Sequence, residues 1–432
     1  MKNKKTNWLS PARFLVLGFA CVILMGMLLL LLPLSVNHGV KIGFIDAFFT
    51  STSAVCVTGL VVVDTADTFS IFGRTIIALL IQIGGLGFHS IGVAFILLAG
   101  KEVNLKERVL IKEGLNLSNM QGIVKLIKSV ILLTFVFEGV GMALGYIVFS
   151  KEFSPLTALG ISAFHSVAAF NNSGFDIMGG FQSLTSYQDN MLLNMITAGL
   201  VIFGGLGFYV IKEIVNKRSW HDFSMNTKIV LVMSIILLAG GTLLIKFTNN
   251  MTWLGAFFHS ASSRTAGFNT YNIGEFSTAG QFTLVMLMFI GASPGSTGGG
   301  VKTTTIFTLF KSMFSFATNK ESTAFHRKIP NESILKAFMV TLLALLVVCV
   351  IVFLICIIEP QLQFSQVVFE VVSGFATVGL TTGITPQLSG LSKLLLCATM
   401  FIGRLGPLTM ATVWIYKPKP HISFGSEHVS IG

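Results

Sequence analysis

Long and short apolar runs alternate along this chain in a succession that recurs four times. A run of about 20 apolar residues precedes one of roughly 10–16. A small-residue segment closing on glycine follows, and then a second long run. The four segments are Val55-Cys56-Val57-Thr58-Gly59, Asn171-Asn172-Ser173-Gly174, Arg264-Thr265-Ala266-Gly267 and Ala376-Thr377-Val378-Gly379. Phe49, Phe164, Phe258 and Phe369 stand 10, 10, 9 and 10 residues before their glycines. A second glycine signal, beginning at Gly84, Gly204, Gly291 and Gly403, comes 25, 30, 24 and 24 residues after the first. Several anchors at near-constant spacing mark an internal repeat.

The pattern predicts an all-α integral membrane protein with four units of helix, re-entrant pore helix and helix around one central pore. Eight spanning helices are expected at 14–32, 71–98, 123–149, 191–215, 228–247, 282–316, 337–358 and 393–415, the sixth of them broken. The short helices fall at 44–55, 155–170, 254–263 and 364–374. They are too short to cross ~30 Å of hydrocarbon, and irregular backbone at that depth is tolerated only when buried in protein or lining a cavity. The units divide at 1–100, 101–220, 221–328 and 329–416, with a tail at 417–432.

Composition supports a membrane location. The chain is 53% hydrophobic and 11% charged, with a mean hydropathy of +0.80, which leaves too few charges to cover a soluble body of 432 residues. The net charge of +11 has an orientational cause. Under this topology 21 of the 29 Lys and Arg residues fall on one side, whereas Lys41, Arg74, Lys151, Lys246 and Lys393 face the other. The positive-inside rule then puts both termini in the cytoplasm and accounts for the excess without nucleic acid. Five cysteines without ligand-like spacing read as small apolar residues. The basic start and first apolar run imitate a signal peptide, but no small-residue cleavage pattern follows.

The fourth segment contains Thr377-Val378-Gly379, the core tripeptide of potassium-channel filters, where backbone carbonyls replace the ion's water shell. Small-residue helix packing would explain glycines but not the short helices before them. With Val57-Thr58-Gly59-Leu60, Asn172-Ser173-Gly174-Phe175, Arg264-Thr265-Ala266-Gly267-Phe268-Asn269, Thr377-Val378-Gly379-Leu380-Thr381 and Phe401-Ile402-Gly403-Arg404-Leu405-Gly406-Pro407-Leu408-Thr409, nearly the whole chain resembles the membrane subunit of Ktr-type potassium uptake systems, in the Trk/Ktr/HKT superfamily. The resemblance implies a bacterial potassium uptake protein, with potassium held at a filter of Val57, Thr58, Gly59, Asn172, Ser173, Gly174, Thr265, Ala266, Gly267, Thr377, Val378 and Gly379. It also implies a homodimer, a separate cytoplasmic nucleotide-binding ring of the RCK type, and no organic cofactor in this chain. It admits sodium dependence of uptake.

Gly295-Ser296-Thr297-Gly298-Gly299-Gly300-Val301-Lys302-Thr303 nearly reads as a phosphate-binding P-loop. Val301 puts the lysine out of register and no strand pattern precedes it. A helix interrupted by glycines inside the membrane points instead to a gate or binding site. The resemblance implies that Gly291, Ser293, Gly295, Ser296, Thr297, Gly298, Gly299, Gly300 and Lys302 form an intramembrane gating loop. Arg404, buried in the last span, would cost about 2.5–3.5 kcal/mol without a partner, so the loop's carbonyls and hydroxyls are expected to receive it.

Arg264 breaks the equivalence of the four segments and is expected to turn aside toward an acid, with Glu370 one possibility. Asp64, Asp67, Asp176 and Glu275 follow three of the loops on the outer side, as cation-concentrating charges or as solvated loop residues. Glu138 reads as a helix-packing hydrogen bonder more than as a weak ion site. His165 and His259 hold equivalent positions and support the repeat better than metal binding. An ion-coupled symporter would more commonly carry inverted repeats and a buried coupling carboxylate. An integral-membrane enzyme would need a His, Asp or Cys constellation, and the sequence holds none.

Overall fold

A computed structural model describes residues 11–87, 90–93, 96, 108–109 and 122–413. Lys2, Lys101 and Lys112, the boundary at 100–101, most of the expected span beyond 87 and the tail at 417–432 lie outside these residues. In chain order the helices are α1 (Pro11–Leu30), α2 (Phe44–Cys56), α3 (Ile71–Leu86), α4 (Ile123–Phe149), α5 (Pro155–Phe170), α6 (Met191–Leu206), α7 (Phe208–Lys217) and α8 (Met225–Thr248). They continue with α9 (Trp253–Ser262), α10 (Thr278–Phe289), α11 (Thr303–Ala317), α12 (Asn331–Ile358), α13 (Phe364–Ala376), α14 (Gly390–Leu405) and α15 (Pro407–Thr412). Between α11 and α12 lies a small hairpin of β1 (Thr323–Ala324) and β2 (Arg327–Lys328).

Among the described residues α1, α4, α8 and α12 are long and apolar enough to cross a membrane, and α6 with α7 makes a fifth if the bent pair is one span. The helix that follows each short one departs from the continuity expected of it. α3 ends at Gly87 (φ 79°), α6 at Gly207 (φ 94°) and α14 at Gly406 (φ 88°), in a backbone region that only glycine enters cheaply. At Gly207 the chain bends by 95°. α10 stops at Phe289, and helix resumes only at α11. The length of an apolar run predicts continuity; the Gly-x-Leu-Gly pattern marks where it fails. Each of these helices starts on a side-chain cap: Ser70, Asn190, Ser277 and Ser389 accept from the backbone N–H three residues on.

Two sets of glycines set the packing. Gly26, Gly141 and Gly241 on the long helices face Ser51, Ser166 and Ser260 on the short ones; a Cβ at any of them would stand 2.4 Å from the hydroxyl. Those hydroxyls donate to the Ile23, Glu138 and Leu238 carbonyls at 2.7, 2.6 and 2.8 Å. In the fourth unit the buried Val371 stands at the serine's place. Gly84, Gly204 and Gly403 lie against the Val55, Phe170 and Phe375 carbonyls near the short-helix ends, where a Cβ would come within 2.0, 2.0 and 1.7 Å. Phe49, Phe164, Phe258 and Phe369 are all buried and hold the short helices in the core.

Adjacent glycines on α8 make a sharp test. Gly240 has nothing within 4 Å of a Cβ, whereas Gly241 meets Ser260 Oγ at 2.4 Å and Leu287 at 2.8 Å. Gly240→Ala is expected to be neutral or to stabilise by about 0.5–1 kcal/mol, and Gly241→Ala to cost about 1–3 kcal/mol. Thermal unfolding should place the purified Gly240→Ala variant at or above the parent and Gly241→Ala below it.

Candidate functional site

The four glycine segments meet. Each short helix ends in a turn whose residue two before the glycine is left-handed: Val57 (φ 58°), Asn172 (φ 59°), Thr265 (φ 95°) and Thr377 (φ 52°). The glycines themselves have φ of 90°, 69°, 81° and 96°. In the first and fourth turns Ser53 and Ser373 accept from the amides of Gly59 and Gly379 at 3.0 and 3.1 Å. The second turn is closed by Ser173 N on the Ala168 carbonyl, and the third by Ser262, which accepts from Ala266 N and donates to the Phe268 carbonyl.

Carbonyls of neighbouring turns face one another's glycines in a closed cycle. A Cβ at Gly59 would lie 2.2 Å from the Ser173 oxygen, at Gly174 2.5 Å from Ala266, at Gly267 2.1 Å from Val378, and at Gly379 2.2 Å from Thr58. The cycle closes after four contacts, so the turns form a ring with glycine obligatory at each junction. The carboxyl ends of four helices approach this ring, and helix C-termini carry partial negative charge. Leu60, Phe175, Phe268 and Leu380, just past the glycines, are buried and anchor the chain where it leaves each turn.

The segment between α10 and α11 lies against this ring. It is pinched at its base by the Ile290–Val301 bridge and by Gly291 N on the Val301 carbonyl at 2.9 Å. Ser293 N donates to the Gly205 carbonyl, Ser293 Oγ meets Thr303 Oγ1 at 3.0 Å, and Ser296 Oγ donates to the Ser293 carbonyl. Thr297 Oγ1 donates to the Gly204 carbonyl at 3.1 Å, and Gly299 N to Thr377 Oγ1 at 2.9 Å. Gly298 fits against Thr265 and Gly300 against Ala376. The Gly295 carbonyl accepts from Phe208 N, the first residue of α7. Lys302 Nζ donates back to the Gly298 carbonyl at 2.7 Å. Arg404 Nη1 donates to the Thr297 carbonyl, and Nη2 to the Gly84 and Gly85 carbonyls. One guanidinium therefore ties α14 to the segment and to α3.

Arg264 and Glu370 do not pair. Arg264 donates to the Ser234 carbonyl and to Ser234 Oγ, both at 3.2 Å. Glu370 instead accepts from the hydroxyls of Thr381, Thr382 and Thr385 and from Thr382 N. Three side-chain donors stood close in sequence to that carboxylate and were the better partners. His165 meets Thr197 at 2.8 Å and His259 the Gly255 carbonyl at 2.9 Å. Among the described residues no group of His, Cys, Asp or Glu could hold a metal ion. The acids that follow the first turn brace backbone: Asp64 accepts from Asp67 N and Phe181 N, and Asp67 from Gly180 N. Burial pushes Asp176, two residues past Gly174, up to about 6, with Asp64 adding to the shift.

Apolar spans, re-entrant-length helices and interrupted helices define a multi-pass helical membrane protein. The family profile described as TrkH, cation transport protein, matches residues 10–423, and the chain belongs to that family. It is similar to potassium/sodium uptake protein NtpJ of Enterococcus hirae, at 38% identity over 100% of this chain and 99% of the relative. It is equally similar in extent to Ktr system potassium uptake protein B of Bacillus subtilis, at 36% identity over 100% and 99%. The crystal structure of the potassium transporter TrkH from Vibrio parahaemolyticus shares the fold, with a TM-score of 0.75 over 96% of this chain and 87% of that one at 19% identity. The relatives are named as transporters and the chain is no enzyme.

Arg404→Ala removes bonds to three carbonyls on two elements. Hydrogen exchange should rise in residues 291–302 and around Gly84–Gly85, and Arg404→Lys should restore little of the protection, because one ammonium cannot span both elements. Unchanged exchange in both regions would dismiss the clamp.

Proposed function

We propose that this chain takes up potassium through a pore lined by the carbonyls of the glycine ring. The four units, 1–100, 101–220, 221–328 and 329–416, then surround one conduction path, with both termini in the cytoplasm. The observation that carries this reading is the closed cycle of Thr58, Ser173, Ala266 and Val378 carbonyls against the four ring glycines. Carbonyl oxygens around an axis can replace the hydration shell of a monovalent cation, and the neighbouring helix ends favour positive charge there. The names of the relatives, which include potassium and potassium/sodium uptake proteins, support potassium as cargo and a part for sodium in uptake.

The segment 291–302 acts as the gate. It lies beneath the ring, bonded to residues of the turns themselves, and Lys302 adds a positive charge that opposes cation passage. Arg404 sets its position. A pore of this kind must not stand open, since one charge crossing 100 mV is worth ~2.3 kcal/mol. A separate cytoplasmic nucleotide-binding ring, acting on a homodimer of this chain, biases the gate by binding one state better. The Ktr system named for the relatives supports such a partner.

Two measurements test the pore. Gly59→Ser and Gly379→Ser should raise the KM for potassium uptake and admit sodium; unaltered kinetics in single serine substitutions at all four glycines would remove the filter assignment. Deleting Ser296–Gly300 should raise rubidium flux in proteoliposomes by several-fold, and a folded deletion variant conducting no faster than the parent would rule out the gate.

A further inference from the structure

At Gly207 the chain leaves α6 and turns by 95° into α7, so where α6 crosses the bilayer α7 lies near the membrane plane. Its depth follows from length. The 16 residues of α6 cover ~24 Å of a hydrocarbon layer ~30 Å thick, which sets Gly207 close to one boundary. The packing agrees: Val210 and Ile211 cluster with Val230, in the second turn of α8, and Leu133 and Phe137 of α4 lie against them.

α7 has two faces. Phe208, Val210, Ile211 and Glu213 are buried, whereas Tyr209, Val215, Asn216 and Lys217 are exposed, as is Trp220 just beyond. Cations surround the exposed face. Lys212 has Lys125, at the exposed start of α4, as an electrostatic neighbour. Lys128 follows on α4, and Arg218 ends α7. None of these four makes an ion pair among the described residues. The acids at hand are engaged: Glu213 accepts from Lys217, Ser224 and Thr227, and Asp222, in the loop that follows, acts on Lys217. Lys228 is bonded to the His221 carbonyl and lies over the Trp220 ring.

Like charges gathered from two helices call for an anion from outside the chain, and the apolar side chains among them call for one with a hydrocarbon part. A soluble oxyanion would satisfy the lysines but leave Tyr209 and Val215 against water. Short two-faced helices rimmed by Lys and Arg lie in the membrane surface, where anionic headgroups attract them and Tyr and Trp are enriched. The start of α7 is also fastened to the segment 291–302. Phe208 N donates to the Gly295 carbonyl at 3.0 Å, and Gly207 lies against the Pro294 carbonyl, where a Cβ would come within 2.6 Å. We propose that α7 and the start of α4 bind the headgroup of an anionic phospholipid in the cytoplasmic leaflet, and that the bound lipid holds the segment 291–302 in place through Gly207 and Phe208. The leaflet rests on the reading that both termini are cytoplasmic, and the consequence for transport on the reading of 291–302 as the gate. The lipid biases the segment by binding one position of α7 better than another.

The test uses the full chain in phosphatidylcholine nanodiscs with and without phosphatidylglycerol. Native mass spectrometry should find phosphatidylglycerol retained several-fold over phosphatidylcholine by the parent. That preference should fall in Lys125→Gln/Lys212→Gln/Arg218→Gln and persist in Lys212→Arg. It should also persist in Lys311→Gln/Lys320→Gln/Arg327→Gln, which removes equal charge elsewhere on the same side. An unchanged preference in the first triple variant overturns the lipid site and leaves the face to a protein partner. An equal fall in both triple variants overturns it too, as attraction by charge alone. The hold on the segment has its own readout. Hydrogen exchange in residues 291–302 should slow several-fold when phosphatidylglycerol is added to the parent and stay unchanged in the first triple variant, and rubidium flux in proteoliposomes should fall in parallel. Exchange that ignores phosphatidylglycerol in the parent refutes the hold while leaving the pore reading untouched. Slowed exchange with unchanged flux upholds the hold and counts against the gate.

Discussion

Four contacts in which a carbonyl oxygen lies against a bare Cα govern this structure. A Cβ at Gly59, Gly174, Gly267 or Gly379 would come within 2.5 Å or less of the next turn's carbonyl, well inside contact distance. The ring therefore closes only if each turn is glycine at the junction and left-handed two residues earlier. Those conformations are unfavourable for Val57, Asn172, Thr265 and Thr377, and such strain persists only where the surroundings over-determine it. Here the surroundings are four short helices, each pinned by a buried phenylalanine and by a second helix whose own glycine, in three of the units, admits a short-helix carbonyl. Ring and packing are one constraint expressed at two depths.

The buried cations of this core are held by carbonyls and not by counter-ions. Arg404, Arg264 and Lys302 all donate to main-chain carbonyls. Ion pairs among the described residues are Lys217–Glu213, Lys328–Glu321 and Lys393–Asp46, each with at least one well-exposed or partly exposed partner. Burying a full ion pair costs desolvation of two charges, whereas carbonyls already aligned near helix breaks carry partial negative charge without a second ion to desolvate. The break at Gly87 leaves the Gly84 and Gly85 carbonyls open to Arg404, whereas Ser234, which receives Arg264, lies within α8.

Much of this could be read from spacing alone. The matched intervals from Phe49, Phe164, Phe258 and Phe369 to their glycines located the short helices to within a few residues and grouped the four turns. Hydropathy located the long helices but could not show that α3, α6 and α14 stop at glycine, because an apolar run keeps its length whether or not its backbone turns. The Arg264–Glu370 pairing failed for a different reason. Opposite charge suggested it, while proximity in three dimensions gave Glu370 three threonine hydroxyls and left Arg264 to Ser234. Glu138 bonds Asn171 across the α4–α5 contact, in keeping with a helix-packing hydrogen bonder, but that partner lies 33 residues away in sequence and nothing local announces it.

The ring is not four-fold in its grip on the segment beneath it, and the asymmetry explains Arg404. Two residues before the glycine, three turns carry polar side chains: Asn172 and Thr377 bond the segment, and Thr265 lies against Gly298. The first turn has Val57 at that position, which can offer neither donor nor acceptor from its side chain. On that side the hold comes from the second helix of the first unit, through Arg404, which grasps the Gly84 and Gly85 carbonyls with one nitrogen and Thr297 with the other. A lysine could satisfy one of these, and a neutral side chain could not reach both with donors. The planar, five-donor guanidinium is the side chain able to close the fourth side of the clamp from a neighbouring helix.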